Sequence, residues 1–129
     1  MTKEILNKYI FLLIVFLLIT ITFKTQNANE VLLYADDISY DKNENLIAKG
    51  NAKIIYQNKI ITSDLIIYSK NDKKILLPIE FNMKDEKNNY YYGTSGFFSN
   101  DLNYGTIDYP KILLNDNSRI VGKKAKRDG

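Results

Sequence analysis

The chain contains no cysteine, no histidine and no tryptophan. Without Cys or His there is no zinc site of the usual ligands, no Ser-His-Asp triad, no Cys-His dyad and no disulfide framework. Proline is held to two residues and glycine to six. That excludes a collagen-like chain and a Pro/Gly-rich linker. Excess charge is small as well: 18 basic and 15 acidic side chains leave +3. Lys3, Lys8 and Lys24 against Glu4 supply +2 of it before residue 29, leaving a nearly neutral body. A nucleic-acid partner is therefore not expected. Asp36 and Asp64 stand 28 residues apart, each without a His or Cys beside it. Neither enzyme activity, nor a metal, nor a cofactor is expected from such isolated carboxylates.

What is present is Ile, Lys and Asn, at 18, 16 and 15 residues, with ten Tyr and six Phe. An A+T-rich coding sequence would also enrich Lys and Asn, so those two say little about function. Ile, Tyr and Phe favour strands. A length of 129 residues fits one small domain.

Residues 1–28 form a separate segment. Lys3 and Lys8 precede an apolar run from Tyr9 to Phe23, broken only by Thr20 and Thr22 and closed by Lys24. A basic start and a short apolar core make the pattern of an export signal. The run is shorter than the roughly 20 residues of a spanning helix. It reads as a cleaved signal peptide, with Ala28 as the residue before cleavage, or as a retained signal anchor. In both cases residues 30–129 lie outside the cytoplasm.

Polar clusters then punctuate the chain, among them residues 41–45, 57–59, 70–73, 85–89, 99–101 and 115–117. Asn and Asp suit turns because they bond their own backbone. The stretches between them alternate, as in Ala52, Ile54 and Tyr56 or Ile79, Phe81 and Met83. This predicts about seven strands, near 31–40, 46–56, 60–68, 75–83, 90–98, 104–114 and 119–125.

There is also an internal repeat. Ala35-Asp36-Asp37-Ile38-Ser39-Tyr40 and Ser63-Asp64-Leu65-Ile66-Ile67-Tyr68 share a small-Asp-x-Ile-x-Tyr pattern. A looser unit covers Ser95-Gly96-Phe97-Phe98-Ser99, and a fourth begins at Ala125-Lys126-Arg127-Asp128. The following strands are offset by 27 residues rather than 28, a slip that a bulge must absorb. A change of facing parity after Ser63 predicts a corner at Ser63-Asp64, with Asp capping freed N–H groups. Units of two strands cannot bury their apolar faces alone, so stacked units share a core and leave open strand edges at both ends.

Ala35-Asp36-Asp37-Ile38-Ser39-Tyr40-Asp41, followed by Leu46-Ile47-Ala48-Lys49-Gly50-Asn51-Ala52-Lys53-Ile54, resembles the OstA-like domains of lipopolysaccharide transport. The likeness covers roughly residues 33–129. Gly96-Phe97-Phe98-Ser99 and Tyr104-Gly105-Thr106-Ile107-Asp108-Tyr109-Pro110 look most like the N-terminal region of LptD, and LptA is the other candidate type. Pro78 departs from the pattern, standing where the first unit has Gly50, and predicts an edge or bulge.

The resemblance implies an all-β fold, a twisted β-jelly roll of two-strand repeats preceded by an N-terminal signal helix. Within LptD such a domain continues into an outer-membrane barrel, so residues 30–129 would be a C-terminally truncated piece. It also implies a periplasmic module, associated with the outer membrane, that holds lipopolysaccharide acyl chains in an apolar groove. Neighbouring Lpt domains would join it by edge-strand pairing. The residues expected to line the groove are Ile38, Tyr40, Ile47, Ala52, Ile54, Tyr56, Ile61, Ile66, Tyr68, Ile79, Phe81 and Met83. Arg119, Lys123, Lys124, Lys126 and Arg127 are the candidate contacts for an anion such as a lipid phosphate. The competing reading is a structural or adhesive exported β-repeat protein whose core of the same residues is closed and binds no lipid.

Overall fold

The structure is a computed structural model, and it describes residues 2–21 and 30–129. A helix, α1, spans Lys3–Ile21. Its side chains from residue 2 to residue 18 are all exposed. Among the described residues no helix is long and apolar enough to cross a membrane. The export segment predicted at 1–28 extends beyond these residues, and its cleavage region lies outside them.

Twelve antiparallel strands follow: β1 (Leu32–Tyr34), β2 (Asp37–Tyr40), β3 (Leu46–Tyr56), β4 (Lys59–Ser69), β5 (Lys74–Leu77) and β6 (Phe81–Lys84). The remaining six are β7 (Tyr90–Gly93), β8 (Ser95–Ser99), β9 (Tyr104–Asp108), β10 (Lys111–Leu113), β11 (Arg119–Val121) and β12 (Lys124–Asp128). The seven predicted strands are all present, but five of them are each divided in two. The divided pairs are β1 with β2, β5 with β6, β7 with β8, β9 with β10, and β11 with β12.

The reason for the division is a fold line across the whole sheet. The ends of β3 and β4 nearest their shared turn pair with β1 and β6. Their other halves pair with β2 and β5. The sheet thus has one half made of β1, the second half of β3, the first half of β4, β6, β7, β10 and β11. Its other half holds β2, the rest of β3 and β4, β5, β8, β9 and β12. Each of the seven long strands crosses from one half to the other and pairs only with its neighbours in sequence.

Small, cyclic or left-handed residues occupy the line. Gly50 and Asn51 take φ of 77° and 45° at the bulge in β3, which absorbs the slip in the repeat. Pro78 lies between β5 and β6, aligned with that bulge through β4. Its missing N–H costs nothing there because no ladder crosses the corner. Hydrogen bonds cross the line instead: Asp36 N donates to Gly50 O at 2.9 Å, and Thr94 N to Asp108 O at 3.0 Å. The corner at Ser63-Asp64 is real, but its cap differs from the expectation. Ser63 Oγ accepts from Leu65 N at 3.3 Å and donates to Glu80 O at 2.8 Å. The hydroxyl can do both at once, whereas the Asp64 carboxylate is exposed.

Candidate functional site

Strand parity sends one face of each half inward. Row by row, Ile54, Ile61, Met83 and Tyr91 line one half. Ala48 and Ile66 share one row of the other half, and Tyr68, Ile75 and Phe98 share the next. The two faces meet in one buried cluster. Phe81 and Phe98, from opposite halves, pack edge to face with centroids 6.0 Å apart. Their area and geometry make them strong contributors to cohesion.

The twelve residues expected to line a groove fall into five groups. Ala52, Ile54, Ile61, Ile66, Phe81 and Met83 are all buried in this cluster. Tyr56 and Tyr68 are half-buried against it. Ile38 and Tyr40 share the inward parity of Ala48 and Leu46, their partners in β3, but lie on the open edge strand β2. They are accordingly 45% and 74% exposed. Ile79 lies on the fold line and is exposed. Ile47 points the other way: it is paired with Ile67, one residue out of phase with buried Ala48 and Ile66. Side-chain period two fixes that, because Ile38 and Ile47 are not cross-strand partners.

The repeat now has a spatial meaning. Ile38 and Tyr40, Ile66 and Tyr68, Gly96 and Phe98, and Ala125 and Arg127 occupy successive inward positions just past the fold line. In the fourth unit Arg127 takes the place that the others give to an aromatic ring.

Arg127 belongs to a polar cluster whose members read in the sequence only as cationic and turn residues. Its Nη1 is 3.9 Å from Oδ2 of Asp85, and the Asp85 side chain is only 5% exposed. Asp85 Oδ2 accepts from Tyr91 OH at 2.9 Å and from Asn89 Nδ2 at 3.0 Å. Oδ1 accepts from Lys87 N at 2.9 Å and Asn89 N at 3.0 Å. Burial works to raise the Asp85 pKa, but these bonds outweigh it and hold the carboxyl below its ordinary value. Burial and the same carboxylate raise Tyr91. A second tie runs from Lys59, itself 5% exposed, to Asn103 Oδ1 at 2.8 Å. Both ties join the far ends of the two sheet halves. No local signal reveals them, since each pairs residues more than 40 positions apart.

Arg119, Lys123, Lys124 and Lys126 are exposed. Lys126 Nζ lies 3.6 Å from Asp128 Oδ1 on the surface. The five predicted cations therefore do not converge: Arg127 faces inward and Lys124 and Lys126 face outward.

Between the free margins of the halves, Met83, Tyr91, Ile107, Ile112, Ala125 and Arg127 border a concavity of about 160 Å³. Small-molecule sites usually span about 300–1,000 Å³. The interior as it stands is a packed core with a narrow apolar mouth. Strand β2 pairs only with β3, and β12 only with β9, so both ends of the meander carry an unpaired edge among the described residues.

No protein-family model and no curated protein matches the chain. Among solved structures it is similar to LptH of Pseudomonas aeruginosa, described as the LptA-homologous periplasmic component of the lipopolysaccharide transport device. The identity is 14% and the TM-score 0.62, over 82% of this chain and 86% of that one. The fold expectation is thereby met: this is an LptA-like β-jelly roll.

Proposed function

We propose that this protein is a non-enzymatic module of lipopolysaccharide transport, exported to the periplasm by residues 1–28. The carrying observation is a meander folded in two with an apolar interior, an open edge at each end and the fold of a known transport component. Lipid acyl chains enter through the mouth beside Ile112 and Ala125 and spread the halves along the rows of Ile54, Ile61, Phe81 and Met83. Each buried methylene contributes about 0.8 kcal/mol. That offsets the interior contacts which the chains displace. The edge strands β2 and β12 pair with neighbouring domains of the same system, since an exposed ladder is a ready template. The stretch from Gly96 to Pro110 resembles the N-terminal region of LptD, which favours a place for the module on the outer-membrane side of that system.

Photo-reactive residues at Ile54, Phe81 and Ile112 test the reading in cells that make lipopolysaccharide. All three are expected to crosslink to the lipid, and Lys126, on the outer face, is not. Equal labelling at Lys126 and the interior positions would support the alternative, a structural β-repeat protein with a closed core.

A further inference from the structure

The outer face of the first sheet half has a composition unlike the rest of the surface. Two cross-strand rows run over it. One joins Leu32, Ile55, Ile60, Lys84, Tyr90, Leu113 and Arg119. The other contains Tyr34, Lys53, Tyr92, Lys111 and Val121. The rows carry the cations Lys53, Lys84, Lys111 and Arg119 and no carboxylate. Asp36, Asp64 and Glu80 stand at the fold-line margin, where Asp64 and Glu80 share a concavity with Lys53 and Tyr92, and Glu30, Glu86 and Asp116 lie at the far end. The other sheet half mixes its signs: Asp37, Asp108 and Asp128 share its outer face with Lys49, Lys124 and Lys126.

The apolar content of this cationic face is high and unburied. Leu32 is 42% exposed, Tyr34 54%, Tyr90 49% and Val121 74%. Two lysines lie over aromatic rings, Lys84 on Tyr90 and Lys111 on Tyr92, each 5.5 Å from the centroid. That arrangement keeps the rings and the ammonium groups at one level on the surface. Tyr90, Leu113, Arg119 and Val121 border a shallow concavity of about 390 Å³.

We infer that this face lies against a bilayer surface rich in anionic phospholipid. Aliphatic and tyrosine side chains enter the headgroup layer, and the four cations meet lipid phosphates. Charge complementarity selects this occupant: the cations stand in the rows themselves, among the apolar groups, where a headgroup layer presents both kinds of partner. The interface is distinct from the interior proposed for acyl chains and stands whether or not that interior takes lipid.

The absence of cysteine permits a direct test on the full chain. Val121→Cys and Leu32→Cys place a polarity-sensitive dye on this face, and Lys126→Cys and Phe97→Cys place it on the other. Vesicles of phosphatidylcholine with phosphatidylglycerol are the probe, and circular dichroism verifies that each labelled chain is folded. The expected result is a blue shift at positions 121 and 32 only, lost in about 0.5 M salt, where screening falls to a few ångströms. A companion variant, Lys84→Gln with Lys111→Gln and Arg119→Gln, is expected to reduce the shift at Leu32→Cys at least tenfold. No shift on the anionic vesicles overturns the inference. So does an equal shift at 126 and 97, an equal shift on pure phosphatidylcholine, or a shift reproduced by a soluble anionic polysaccharide.

Discussion

Replacing Asp85 with Ala separates the turn that this residue caps from the tie it makes between the sheet halves. The variant loses the turn bonds to Lys87 N, Asn89 N and Asn89 Nδ2. Loss of a side-chain cap of this kind costs about 1 kcal/mol. It also takes from the half-buried Tyr91 hydroxyl its bond to a charged acceptor, at about 1–3 kcal/mol. Arg127 loses its carboxylate at 3.9 Å, and its side chain is 23% exposed. With that partial screening the loss there is about 1 kcal/mol. The sum is about 3–5 kcal/mol. At about 4–8 °C per kcal/mol for a domain of this size, the melting temperature falls by at least ~12 °C. The control is Asp41→Ala. Asp41 accepts the same three turn bonds, from Asn43 N, Asn45 N and Asn45 Nδ2. Among the described residues it meets no tyrosine hydroxyl and no arginine. Thermal unfolding followed by circular dichroism is therefore expected to show less than half the loss for Asp41→Ala. Equal losses for the two variants would refute the tie. The pH dependence adds a second check. A carboxyl whose folded pKa is depressed stabilises above its unfolded value near 3.9 and loses that contribution as pH falls through the folded value. The gap between wild type and Asp85→Ala is thus present at pH 7 and narrows as pH falls below about 4 and through the depressed folded value.

Gly93→Ala places a Cβ 2.5 Å from Ile107 Cγ2 and 2.7 Å from Phe81 Cε1. Overpacking of this kind costs about 1–3 kcal/mol, read as a lower urea midpoint with unchanged slope. Gly50→Val forces a β-branched residue to φ 77°, with its Cβ 2.8 Å from Asp36 Oδ2. A loss of about 1–3 kcal/mol is expected, and wild-type stability in chemical denaturation would show that the bulge is not needed. Phe98→Ala removes a wholly buried ring that packs on Phe81. It is expected to cost about 3–5 kcal/mol, and a loss below about 1 kcal/mol would mean that the halves are not held by that contact.

The seven long segments of the meander were legible because Asn- and Asp-rich turns recur and Ile, Tyr and Phe alternate between them, whereas the division of five of them into two strands was not. The small-Asp pair marked the fold line for the same reason: Ile61 and Ile66 are both inward, yet five residues apart. What the pattern hid was set by neighbours distant in the chain. Ile47 is as apolar as Ile54, and only its register against Ile67 sends it outward. Ile38 and Tyr40 carry inward parity, but no strand beyond β2 covers them. Lys59 and Asp85 look like turn residues until Asn103 and Arg127 arrive from the opposite half. Parity alone thus identified six of the twelve named positions as core residues, and it did not reveal the ties that close the interior.

The strictly sequential pairing of the seven bent strands has a consequence for how such a molecule is made. Every ladder joins segments separated by a single turn, so closure of long loops is never required before a contact is rewarded. A chain emerging N-terminus first during synthesis can add each strand to the one before it as soon as it appears. Inserting or deleting one hairpin would lengthen or shorten the sheet without rerouting any connection, which makes the number of repeats a variable that evolution can change at little topological cost.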